Sequence, residues 1–592
     1  MELNYKKNNN DLLFETMINM DMTELENIQN YIPIYNKFFN LSDTNYNSIN
    51  LNNKYSLHSL DTKLSYSKFE GSVVDSCNNK TSRNIFFKYS PLIDATKYMI
   101  GKYDLSYNIL ILPKFINNDE KMHNRLLDHN NSAYVDGFFS YLSSFLLNKY
   151  KLLNGIDFYG SFLGIKKNFI VEITEDIEFL DDSDFFHSNK NNLFKLIENS
   201  NTKHLFKDTK KNREKLDISF SDNEDLVNDI IDLNITDLIN VKDVSDFINE
   251  TGNLTLEYNE ENTDTNTNTN TDTNTNTNTK NENNKDNKKR TNDLNTSQSS
   301  CSSRYSKTDS DEEDSNEEEE TDSDNDDDDD DDSSSSQEGE DIFMEINKFP
   351  VQIIALECCH DTLDSYIVNN KIKDLEWESI ILQILFTLIT YQKVFNFTHN
   401  DLHTNNIVYI ETDKKYIYYK YNNKHYKVPT FGKIYKIIDF GRAVYTLKNN
   451  IICSDSYSPD GDAYTQYNCE PYFNENKARI EPNYSFDLCR LGCSLFDYFI
   501  DDIDDIKKLK SVIKKIMISW VFDDNNKNIL YKNDGSERYP DFKLYKMIAR
   551  IVHNHTPEKV LKHELFDNYL IARKKINNVS AIINIDEMPI MC

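Results

Sequence analysis

Two short stretches of this chain gather residues able to do chemistry. In FTHNDLHTNNIVYI, His399, Asp401, His403 and Asn406 stand in the pattern H-x-D-L-H-x-x-N, and some 33 residues later KIIDFGRA supplies Asp439, Phe440 and Gly441. Carboxylates and a primary amide are hard oxygen donors suited to Mg2+. A carboxylate can also accept the hydrogen of a hydroxyl. DFG alone is a weak signal; the two motifs in this order, each flanked by regular structure, are a strong one. Upstream, Lys88 in NIFFKYSPL stands mid-strand between bulky apolar residues, a costly place for an ammonium unless it reaches a partner.

The elements that must position these groups follow from periodicity. The helical pattern LEWESIILQILFTLITYQKVF precedes the first motif, and NIVYIE and YKIIDFG read as strands beside the two loops. From about residue 58 to 179, runs such as GSVVDS, NIFFKYS, FYGSFLG and NFIVEI read as strands, interrupted by the helix SAYVDGFFSYLSSFLLNKYKLL. PVQIIALECC is a further strand, and from Pro482 the pattern is helical almost to the end. Strands first and helices later indicate an α+β enzyme of two lobes. The expected organisation is an Asn-rich N-terminal extension (1–57), an N-lobe (58–183), an insertion (184–345), the end of the N-lobe with hinge and C-lobe (346–570), and a C-terminal tail (571–592). The insertion holds a Thr-Asn repeat and an acidic tract, whose composition predicts disorder from about residue 256.

These motifs resemble the protein-kinase superfamily, with its H-R-D-L-x-x-x-N and D-F-G loops; the variant HNDLHTNN with IIDFGRA is similar to kinase-like proteins of giant DNA viruses. The resemblance runs from roughly residue 58 to 570, broken by the insertion. It implies a β-rich N-lobe, an α-helical C-lobe, and transfer of phosphate from ATP with Mg2+. Asp401 would be the catalytic base, with Asn406 and Asp439 holding the metal, and His399 a structural residue. Lys88 would contact the ATP phosphates and pair with a helix acid, for which Asp136 is the candidate although the family uses Glu. Gly71 in KFEGSVVDS lies where the phosphate-covering loop belongs. Backbone groups around Glu357 and Cys359 would meet the adenine edge, and Asp487 in SFDLCRLGCSLF would bond the catalytic-loop backbone.

The chain departs from the family in four places. No G-x-G-x-x-G is present; Asn400 replaces the Arg before Asp401; His403 replaces the Lys common in Ser/Thr kinases; and no A-P-E follows the metal loop, the only E-P pairs being Glu470-Pro471 and Glu481-Pro482. Asp455, Asp460 and Asp462 read as a solvated acidic loop, and KYIYYKYNNKHYKVPT as an extra hairpin. The main expectation is a protein serine/threonine kinase. The altered nucleotide loop keeps a pseudokinase scaffold open. D-L-H keeps open a small-molecule phosphotransferase acting on an alcohol or aminoglycoside.

Composition narrows the partners. Of the net charge of −33, 21 acidic residues fall between Asp309 and Asp341, so the rest of the chain carries −12. A nucleic-acid coat is excluded, because that role needs an excess of Lys and Arg. The acidic insertion could dock basic proteins. The longest apolar run, IILQILFTLIT, is about half a bilayer span. With no apolar leader and nine scattered cysteines without a CxxC pair, the expected setting is intracellular and cytoplasmic, with reduced thiols.

Overall fold

The computed structural model describes residues 2–19, 22–103, 108–116, 121–197, 205–206, 341–576 and 581–592. The Thr-Asn repeat, the acidic tract and the disorder expected from about residue 256 lie outside the described residues. The main sheet is antiparallel and built from β1 (Leu25–Gln29), β2 (Ser56–Lys63), β3 (Lys68–Val74), β4 (Lys80–Pro91), β5 (Phe158–Glu172) and β6 (Phe343–Glu357). Its spatial order is β1-β5-β6-β4-β3-β2, with a short strand Phe194–Leu196 also on β6. In β4, Ile85, Phe87 and Tyr89 are buried on one face, so the alternation of a strand turns Lys88 to the other, opposite Ile354 of β6.

Helix α1 (Ser132–Tyr150) carries Asp136. The Asn131 side chain caps its first turn by accepting from the Ala133 amide, and Lys151 ends it in the left-handed region. After β6 and a short helix at Leu363–Asn369 comes α2 (Asp374–Phe395), buried along nearly its whole length. Strands β7 (Ile407–Glu411) and β10 (Lys433–Ile437) pair antiparallel behind the two motif loops. Between them β8 (Tyr416–Tyr421) and β9 (Lys424–Pro429) form the extra hairpin, and Ile582–Asn584 pairs parallel with β8. The helices α3 (Phe486–Phe499) and α4 (Phe542–Ile551) follow. The architecture is therefore mixed α+β, with a β-rich N-terminal region and a helical C-terminal region. Among the described residues no helix is long and apolar enough to cross a membrane.

The described part of residues 1–57, a span read from composition as an extension, packs into this structure. Met17, Leu25, Ile32, Ile34 and Tyr35 are buried, and β1 pairs with β5. The Asn side chains that obscured this act as substitutes for backbone partners. Asn30 Nδ2 donates to the carbonyls of Asn9 and Asn47 at 2.8 and 3.0 Å, while Asn47 Oδ1 accepts from the amides of Asn30 and Tyr31. Asn10 and Asn27 take positive φ, which Asn tolerates better than most residues. Likewise the tail buries Ile583, Ile585 and Met588, and the segment read as the start of the insertion contributes Phe194–Leu196 to the sheet.

One buried acid gives the fold a pH dependence. Burial, above all, pushes the Asp176 carboxyl up to about 7; the Thr96 hydroxyl, donating at 2.9 Å, opposes this, and Asp94, Glu175 and Glu172 add to it. An acid whose folded pKa is raised stabilises the fold below its unfolded value, and that contribution is lost as pH rises through about 7. Asp176→Asn is therefore expected to stabilise the protein at pH 8 by on the order of 2–4 kcal/mol and to leave it nearly unchanged at pH 4. Thermal melts across that range check it; parallel pH profiles for the two proteins refute it.

Candidate active site

The ammonium of Lys88 is buried between two carboxylates. Its Nζ lies 2.7 Å from Asp136 Oδ2 and 2.8 Å from Asp439 Oδ1. Burial disfavours the charge, but Asp136 and Asp439 outweigh it and raise the lysine pKa above its ordinary value. Asp136 is fixed in turn by the Phe440 amide, which donates to Oδ1 at 2.9 Å. The Phe440 ring packs 4.7 Å from Phe139, one helical turn beyond Asp136, and 5.7 Å from His399. Thus α1, β4 and the DFG segment are locked together through one aspartate and one ring.

The two motif loops are joined along their backbones. The Ile438 amide donates to the Asn406 carbonyl at 3.0 Å, and His399 Nε2 lies 2.9 Å from the Ile438 carbonyl oxygen, the structural position expected of this histidine. The amides of His399 and Asn400, both buried, donate to the Asp487 carboxylate at 2.9–3.1 Å, so α3 holds the loop from below. Asn400 has φ of 65°, a region few side chains adopt without cost. Its amide donates to the Arg442 carbonyl and accepts from the Tyr467 hydroxyl. Asn406 spends its amide nitrogen on the Asp401 carbonyl at 2.9 Å and on the His403 ring.

Asp401 is surrounded by positive and hydrogen-bonding partners. Burial acts to raise its pKa, yet Arg442, His403, Arg490 and the Tyr545 hydroxyl together hold it well below the usual carboxylate range. Tyr545 donates to Oδ1 at 2.9 Å, and Arg490 Nε stands 3.9 Å from the same oxygen. Sequence reasoning missed this cluster. Arg490 could have been found, since it lies one turn after Asp487 on the same helix face. Nothing in the sequence points to Tyr545.

Lys88, Asp136, Asp401, Asp439 and Arg442 line a common cavity of about 60 Å³. Three other candidate residues lie elsewhere. Gly71 is not in a turn: it sits mid-strand in β3, paired with Leu60 and Arg83. A Cβ there would meet the Ser59 carbonyl oxygen at 2.3 Å, so the glycine admits the irregular backbone of β2 and leaves the turn at 64–67 without one. The Glu357 amide is committed to the Asp157 carbonyl, and its carboxylate to Lys436 and the Asp157 amide. Cys359, two residues on, is half-buried against the core. Asp455, expected in a solvated loop, is instead buried; it pairs with Arg125 at 2.6 Å and accepts from the Ser132 amide, which pins the start of α1. Asp462 is taken up by Arg442.

A stretch of 146 residues, 23% of this chain, is 29% identical to a protein of Acanthamoeba polyphaga mimivirus named "Putative serine/threonine-protein kinase R301". The similarity is kinase-like. It spans 34% of that protein's length, so the chain matches about a third of this relative. No protein-family model matches the chain.

Proposed function

We propose that this protein is an ATP- and Mg2+-dependent phosphotransferase with a two-lobed, protein kinase-like fold, acting on serine or threonine hydroxyls of proteins. The observation that carries the reading is the Lys88 ammonium bridging Asp136 and Asp439, beside a loop that brings Asp401 to the same cavity. The donor set fits a hydrated Mg2+ that arrives with a nucleotide. Asp439 Oδ2 is buried with no hydrogen-bond partner among the described residues, and Asn406 has its nitrogen engaged, which leaves its amide oxygen as a ligand. Among the described residues no cluster of three or more His, Cys, Asp or Glu is arranged to hold a metal by itself, and Mg2+ characteristically uses one or two carboxylates plus phosphates and water. When bound, the ion neutralises charge on the phosphates. Asp401 accepts the hydrogen of the acceptor hydroxyl and aims its oxygen, and Lys88 offers positive charge to the phosphate chain.

The small cavity favours a second reading, a kinase-like scaffold without turnover. A cavity of about 60 Å³ is far below the roughly 300–1,000 Å³ of a ligand pocket, so nucleotide entry requires the cleft to open. The deciding experiment is γ-phosphate transfer from Mg·ATP by the purified chain, offered mixed proteins and a panel of alcohols and aminoglycosides. Transfer to proteins supports the main reading. Transfer to a small alcohol alone redirects it, and nucleotide-dependent stabilisation without any transfer replaces it with the scaffold.

A further inference from the structure

The hydroxyl of Tyr545 occupies a telling position. It donates to Asp401 Oδ1 at 2.9 Å and accepts from Arg490 Nε at 2.8 Å. The Tyr545 ring meets two cations, with Arg490 5.1 Å and Arg442 5.6 Å from its centre. A hydroxyl bonded to this carboxylate is what an acceptor substrate must present there, so a substrate that uses the same oxygen takes over the place of the phenol. Arg442 keeps its own carboxylate, Asp462. Arg490 does not: its terminal guanidinium nitrogens have no hydrogen bond or ion pair among the described residues, and its side chain is one-fifth exposed. Loss of the phenol therefore leaves Arg490 with Asp401, 3.9 Å from its Nε, as its nearest acid and with its terminal nitrogens open to a further acceptor. The fork of a guanidinium suits a carboxylate.

We infer that Tyr545 is the placeholder of the acceptor-hydroxyl subsite and that Arg490 selects acceptors carrying an acidic side chain next to the reacting serine or threonine. The inference rests on the phosphotransferase reading and names its substrate class, an acidic peptide. In the step served, the serine oxygen bonds to the γ-phosphorus of ATP, the bond from that phosphorus to the β-γ bridging oxygen breaks, ADP leaves with the electron pair, and the hydroxyl proton passes by Asp401 to solvent.

The test uses the full chain with Mg·ATP and three peptides, each with one serine flanked by Asp/Glu, by Asn/Gln or by Lys. Wild type is expected to show about tenfold higher kcat/KM on the acidic peptide than on the neutral one, the scale of one charged hydrogen-bonded contact. Arg490→Gln is expected to erase that advantage through KM, and Arg490→Lys to restore part of it. Tyr545→Phe, which removes only the hydroxyl, is expected to lower KM for the acidic peptide. Transfer without charge preference, or an Arg490→Gln loss equal on all three peptides, overturns the inference and leaves the phosphotransferase reading standing; so does a Tyr545→Phe effect confined to kcat. Fluorescence anisotropy of the same labelled peptides covers the case of no transfer. Tighter binding of the acidic peptide that Arg490→Gln abolishes supports the subsite while the phosphotransferase reading fails, and equal binding of all three overturns both.

Discussion

Asp401→Asn is expected to lower γ-phosphate transfer from Mg·ATP by about 10²–10⁴-fold, the range for loss of a positioned acid–base group. Asparagine keeps the shape of the side chain and an oxygen able to accept from Tyr545. It also leaves the backbone links of the loop to Asp487 and Asn406 in place. What it removes is the negative charge that Arg442, His403 and Arg490 surround. A carboxylate so stabilised is a weak base, so on the proposed reading its contribution would be to orient the hydroxyl and to oppose charge as the new bond forms, with the proton moving late. That fits a loose transition state, in which the oxygen needs aiming more than deprotonation. The loss should fall on kcat, with KM for ATP within about threefold of wild type. A variant retaining more than a tenth of wild-type kcat would show that Asp401 is not the group that receives the hydroxyl.

Much of this site was legible because its parts are local. Asp401 and Asn406 share one loop, and a DFG turn after an apolar strand places Asp439 against whatever that strand packs on. The partner of Lys88 could be read as well. A mid-strand lysine needs an acid, and α1 offers Asp136, whose shorter side chain still reaches 2.7 Å. Gly71 was ambiguous because a glycine carries two meanings in a hairpin, freedom in a turn or space beneath a neighbouring backbone, and its mid-strand place against the Ser59 carbonyl shows the second. Tyr545 stayed hidden because its contact spans 144 residues and depends on how α4 docks, which no periodicity records. The Asn-rich start was hidden for another reason. Composition counts asparagine as polar, whereas Asn30, buried with its amide on two carbonyls, behaves as part of the packed backbone.

Lys88→Met should reveal how strongly the site is held together by one charge. Asp136 and Asp439 each lie within 2.8 Å of the same nitrogen, so the substitution leaves two carboxylates facing each other in a buried place. Removing one partner of a buried ion pair costs about 3–5 kcal/mol, because the remaining charge is desolvated and uncompensated. Methionine fills the volume, so the loss is electrostatic rather than a cavity effect. The double variant Lys88→Met/Asp136→Asn separates stability from function. It removes one of the opposed charges while the amide oxygen can still accept from Phe440, so most of the lost melting temperature should return. Transfer should not return if, as proposed, the Lys88 ammonium serves the phosphate chain. If instead Lys88→Met melts like wild type, the ion pairs are not what joins α1 to the DFG segment. If the double variant recovers transfer along with stability, Lys88 serves the fold and some other cation meets the phosphates.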